Sequence, residues 1–250
     1  MPIDLPLLAQ HFGRQHNPAP PRHMGRRYNR AGIFLPEPGN TVVCHLVEGS
    51  ATQQALADAR LAFQAMADAD NLAFTPVLEG GSPGNGALLF QGIVEGRRDY
   101  PFWPRDSDGA TSIAEMTEQF TQRLKGFAGG PAFQVAVTEI VPTGLLVEGV
   151  AAADRQALAA WRDGLAELLG YRHPDHDSYE FHITIAYLID WIDEAELPAW
   201  QAMLHAVEAD IVQRAPVLEL RAPAFCSFAD MNWFEELLVF NPHQSISPLP

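Results

Sequence analysis

The sequence predicts an α+β fold with antiparallel sheets flanked by helices, arranged as two pseudo-symmetric lobes. Three observations lead there. The elements run strand, helix, strands, helix, and then strand pair, helix, strand, helix, strands. Each half carries one histidine-bearing strand and two helices, although the halves show no sequence repeat. Neither a G-x-G-x-x-G nor a G-x-x-x-x-G-K-[ST] loop is present, which argues against a doubly wound nucleotide fold.

Residues 1–38 are rich in Arg, Pro and His without a sustained period, so they read as an irregular arm wrapped over the surface. Residues 39–240 form the bilobal domain, and 241–250 a tail. Thr41 to Val47 opens the domain as a half-buried strand. A helix follows, capped by Ser50 or Thr52, with Ala55, Leu56, Ala59, Phe63 and Met66 at helical spacing. Leu72 to Leu78 and Ala87 to Val94 read as strands across a Gly80–Gly86 turn. Residues 95–110 are an insertion whose Arg97, Arg98, Tyr100 and Trp103 could close on a ligand or simply pack a loop.

Ser112 to Phe127 is a second helix with Ile113, Met116, Phe120 and Leu124 on one face. Phe133 to Val141 and Leu145 to Val150 form a hairpin, and 152–169 a third helix ended by Gly170. Glu180 to Ile189 is the clearest strand in the chain. A fourth helix runs from Asp193 to Arg214, and Val217 to Leu220, Ala224 to Phe228 and Glu236 to Phe240 close the domain as strands. Trp161, Trp191 and Trp200 are assigned to the core.

Composition narrows the function. The 16 basic and 31 acidic residues leave a net charge of -15, which repels a long polyanion but leaves room for a small phosphate ester in a local pocket. The charge is uneven: from Gln10 to Leu35 there are five arginines, three histidines and no acid. That segment is either a solvated arm or an anion-facing one. No apolar run is long enough to span a bilayer, and the N-terminus lacks a secretory pattern. Cys44 and Cys226 lie in apolar, strand-like sequence and read as buried thiols, so a cytoplasmic protein is expected.

The candidate chemistry sits on two strands. Alternation puts Glu180, His182, Thr184 and Ala186 on one face, and the apolar Phe181, Ile183, Ile185, Tyr187 and Ile189 on the other. An imidazole and a hydroxyl then project side by side, one able to move a proton and the other to donate to a phosphoryl oxygen. The same pair could also be ordinary residues of a solvent-facing sheet. The earlier strand repeats half the pattern: Thr41, Val43, His45 and Val47 share a face, with Val47 where a hydroxyl would complete it. Ser50 at the helix start is a candidate substitute anchor.

Phe181-His182-Ile-Thr184-Ile-Ala-Tyr-Leu, preceded by the His45 strand, resembles the two-histidine (2H, LigT-like) phosphoesterases, and Gly39-Asn-Thr-Val-Val-Cys-His45 resembles an uncharacterised microbial branch of them. The resemblance implies two lobes facing each other across a groove. It also implies metal-independent hydrolysis of a small, cyclic phosphodiester, with His45 and His182 sharing the general-base and general-acid roles in an order the sequence leaves open. Thr184 would hold the phosphoryl oxygens, with no cofactor and no metal. Arg27 and Tyr28, in the Gly25–Tyr28 run ahead of the first motif, would fold over the groove to bind substrate. Two alternatives stay open. The departure at Val47 fits a non-catalytic binding module for a phosphorylated ligand. His173 and His176, with Asp175 and Asp177, could instead serve a metal-dependent hydrolase.

Overall fold

Seven strands form one antiparallel sheet in the computed structural model, which describes residues 2–76 and 86–240. The strands are β1 (Gly39–His45), β2 (Leu72–Phe74), β3 (Gly86–Val94), β4 (Val135–Val141), β5 (Gly144–Gly149), β6 (Phe181–Thr184), β7 (Ala186–Leu188), β8 (Ala224–Phe228) and β9 (Glu235–Val239). The large sheet runs β4-β5-β6-β3-β1-β8-β9, and β2 pairs with β7 in a second, two-stranded sheet. The α+β class therefore holds. The two halves of the large sheet meet at β3 and β6, which share a single registered pair, Ala87 with Ile183. Most of the Gly80–Gly86 turn and the 241–250 tail lie outside the described residues.

Among the described residues five α-helices cover the sheets: α1 (Leu5–Phe12), α2 (Ala51–Gln64), α3 (Ile113–Leu124), α4 (Ala152–Leu169) and α5 (Leu197–Arg214). Ser50 caps α2, accepting from the Gln53 amide. Ser112 and Glu115 close a capping box on α3. Gly170 ends α4 at φ +80°, a left-handed conformation that glycine adopts without a Cβ clash. α3 and α4 pack together and reach the sheet through β1, β3 and β5, while α5 packs on α1, α2 and β4. The main core cluster has Trp161, Trp200 and Phe120 fully buried, and two small clusters form around Tyr28 and around Val43.

Three expectations are corrected. The arm is not wholly irregular, because α1 forms from Leu5, capped by Asp4, and Ile3 and Leu8 are buried. The strand expected over Glu180 to Ile189 breaks after Thr184, and its second part, β7, leaves the large sheet to pair with β2. At the break the Thr143 carbonyl accepts from both the Ile185 and Ala186 amides, while the Ile185 carbonyl accepts from Thr75. Val217 to Leu220 forms no strand, only a bridge between Leu220 and Leu46.

Candidate active site

The face of the sheet formed by β1, β3 and β6 borders a cavity of ≈ 590 Å³, and the arm closes over it. That volume suits a ligand of nucleotide size. β6 supplies His182 and Thr184 to the cavity, while Ile183 between them is fully buried on the other face. The His182 Nδ1 lies 3.0 Å from the Glu180 carbonyl. A carbonyl only accepts, so Nδ1 is the donor, and in the neutral ring Nε2 keeps the lone pair. Thr184 hydrogen-bonds the hydroxyl of Tyr187, which also lines the cavity.

The arm contributes Arg22, His23, Arg26 and Arg27, and the 95–110 insertion contributes Arg97. Arg26 and Arg27 pair with the buried carboxylate of Glu37, at 3.1 and 2.5 Å. Arg97 stacks on Phe102, its guanidinium 3.1 Å from the ring centroid, and Phe102 meets His173 edge-on. Four guanidinium groups thus share this wall, and none of the described residues lining the cavity is Asp or Glu. The crowding registers on His23, whose pKa falls to about 3, first through burial and then through Arg27, Arg26, Arg22 and Arg97. His173 falls to about 4, mainly through burial, and its Nδ1 is 2.6 Å from the Gln91 side-chain oxygen.

Of the residues singled out in the sequence, His182, Thr184, Arg27 and Tyr28 line this one cavity. Tyr28 does so from a nearly closed position, 2% exposed and packed against Tyr187 and Phe34. His45 is not among the lining residues. It shares the sheet face of Thr41 and Val43, which do line the cavity, but sits at the end of β1 with 2% exposure. Its Nε2 lies 3.6 Å from both Glu236 and the Cys226 sulfur, and its buried Nδ1 has no hydrogen-bond partner. Burial lowers its pKa to about 4 against the opposing pull of Glu236.

The sheet register nevertheless keeps His45 near the cavity. His45 pairs with Gly86, and the Ala87–Ile183 pair extends to set Gly86 beside Thr184. Two strand spacings and a two-residue offset separate the His45 and His182 Cα atoms by roughly 12 Å. Val47 lies beyond the end of β1 and is 37% exposed, so it does not continue the cavity face. Ser50, the proposed substitute anchor, is occupied in capping α2.

The histidines of the metal alternative point apart: His173 into the cavity, and His176 toward Asp163 at 3.1 Å in a different depression. Among the described residues no group of three or more His, Cys, Asp or Glu side chains is placed to hold a metal ion. The insertion divides as well. Arg97 faces the cavity, whereas Arg98 bonds the Gly109 and Thr111 carbonyls and Trp103 is buried. Trp191, expected in the core, lines the cavity and donates to the Ala19 carbonyl. Gln91 carries no signal of its own in strand-like sequence, and Tyr187, expected on the core-facing side, lines the cavity because the strand breaks after Thr184.

Fold and cavity together define an α+β protein that brings an imidazole, a hydroxyl and four guanidinium groups to one cavity. Residues 27–146 match the family model described as "2H-phosphodiest: Domain of unknown function (DUF1868)", a span that includes the Arg27–Tyr28 segment and the His45 strand. Among solved structures, the conserved protein of unknown function ATU0111 from Agrobacterium tumefaciens str. C58 is 46% identical, with a TM-score of 0.90 over 94% of this chain and 98% of that one. No curated protein matches the chain. The chain belongs to the 2H phosphodiesterase family, a membership that supports phosphoesterase activity in general.

Proposed function

We propose that the chain hydrolyses a small cyclic phosphodiester without a metal, using His182 and His45 to move the protons. The observation that carries this reading is His182: its Nδ1–H is held by the Glu180 carbonyl, its Nε2 is free to accept, and Thr184 stands beside it in an acid-free cavity. Water attacks phosphorus as Nε2 of His182 takes its proton. The new P–O bond forms as the bond to the leaving oxygen breaks, and the second imidazole protonates that oxygen. Thr184 and Arg27 hold the phosphoryl oxygens, and Tyr28, packed on Tyr187, keeps Arg27 in place. His45, on the cavity-facing side of β1 but behind the cavity lining, is the candidate for the second role; its pKa of about 4 makes the protonated form that this role needs a minor species at neutral pH.

A second reading, ligand binding without turnover, is favoured by the burial of His45 away from the cavity. The two separate in one assay, run in chelator on 2′,3′-cyclic nucleotides and ADP-ribose 1″,2″-cyclic phosphate. Turnover that survives chelator and is lost in both His182→Ala and His45→Ala supports hydrolysis by this pair. Turnover kept in His45→Ala but lost in His173→Ala moves the second role to His173. Ligand binding with no turnover on any ester supports the binding module.

A further inference from the structure

The cavity has more cationic surface than one phosphodiester needs, and the excess lies at one end. His182 and Thr184 are level with Leu88 and Gly86 on β3. The guanidinium groups gather further along. Arg26 approaches Gly96, beyond the end of β3, with its Nη1 3.5 Å from the position a Cβ would occupy there. Val94, the last residue of β3, forms a bridge with Arg97. His173 meets β3 through Gln91, three residues or roughly 10 Å along the strand from Leu88.

At this end Glu37 accounts for the charge of only one guanidinium, although Arg26 and Arg27 both touch it. Among the described residues, Arg22 and Arg97 have no ion-pair partner. The Nδ1 of His23 lies 2.8 Å from Arg26 Nη2 and so accepts from it, which leaves Nε2–H as a further donor. Guanidinium groups in excess of the carboxylate beside them repel one another, and an anion with several acceptor oxygens relieves that repulsion.

We propose that the substrate carries a second phosphate, remote from the phosphodiester, and that Arg22, Arg26, Arg97 and His23 form its subsite. The inference rests on the cavity being the phosphate-ester site, but not on turnover. It specifies the substrate class as a phosphodiester with an additional terminal phosphate. Phe102 and Trp191, which also line the cavity, provide apolar surface for the group between the two phosphates.

The test is a calorimetric titration at physiological salt with two probes, adenosine 3′,5′-bisphosphate and adenosine 3′-monophosphate. The wild-type chain is expected to bind the bisphosphate roughly tenfold or more tightly than the monophosphate. In Arg22→Ala/Arg97→Ala that ratio is expected to fall toward one, with a melting curve showing that the variant is folded. Arg97→Lys keeps the charge without the fork and is expected to retain part of the preference. Equal affinities in the wild type, or a preference that survives in the folded double variant, overturn the subsite. If no ester is hydrolysed but the preference is present and arginine-dependent, the subsite stands and the hydrolase reading falls.

Discussion

Two histidines in this chain differ mainly in their surroundings. The His182 Nδ1–H is fixed by a backbone carbonyl and its other nitrogen is free, which is the arrangement a general base needs. His182→Asn is therefore expected to lower turnover by roughly 10²–10⁴-fold with the fold intact, read as kcat on whichever cyclic ester proves active. Thr184→Val keeps the strand shape and removes one donor, so a smaller loss, on the order of tenfold, is expected in kcat/KM. His45 makes a different prediction. Its folded pKa of about 4 lies below the ordinary 6.5, so between those values the unfolded chain binds a proton that the folded chain refuses. Stability present above about pH 6.5 is lost as the pH falls toward 4, by about 3 kcal/mol for this ring alone. His23 and His173 act in the same window and with the same sign. Melting temperatures at neutral and at mildly acid pH should converge more closely in His45→Asn than in the wild type, and an identical acid sensitivity would show that His45 is not buried neutral. None of this contrast was legible in the sequence. Period-two alternation gives each histidine a face of its own strand, but the depth of each depends on β8, β9 and the arm, which are distant in the chain.

At the scale of elements, local signals were read well where they were strong. The hairpin of β4 and β5 and the helix α4 with its Gly170 stop emerged within a residue or two of expectation. The failures share one cause, competition from tertiary pairing. Residues 180–189 alternate as one strand, yet the chain changes partners at Ile185 because Thr143 and Thr75 capture its backbone there. α1 lies at the start of a Pro-rich segment, and its eight residues are too few to show a sustained period, although Asp4 at the N-cap and Pro6 in the first turn are ordinary helix-start signals. The joint between β1 and β3, which carries one wall of the cavity, depends on close backbone contact at Gly92. A Cβ there would fall 1.8 Å from the Asn40 carbonyl oxygen, and neither backbone can yield without separating the strands. Gly92→Ala is expected to destabilise the chain by about 3 kcal/mol or more, read as a drop in denaturation midpoint, whereas Ser112→Ala, which removes only the α3 cap, should cost about 1 kcal/mol.

Over the whole molecule, a net charge of -15 surrounds a cavity whose described lining contains arginines and histidines but no acid. The two facts coexist because salt screens exposed charges beyond about 8 Å, so acids on remote faces do little to the potential inside the cavity. A small anion that enters meets Arg22, Arg26, Arg27 and Arg97 at short range and in reduced dielectric, where their attraction is strongest. A long duplex must instead lie across the outer surface, and each further helical turn brings more phosphates against carboxylates than against guanidinium groups. Ligand size should therefore invert the usual order of polyanion affinity. Inorganic pyrophosphate at millimolar concentration is expected to raise the melting temperature, by mass action on the folded state, and to lose part of that effect as salt is added. A labelled duplex of about two helical turns should show no anisotropy change even at low salt, where electrostatic binding is most favoured. Duplex binding that is competed away by pyrophosphate would mean that the arginine wall is open to long strands, and would place the substrate among nucleic-acid ends rather than small esters.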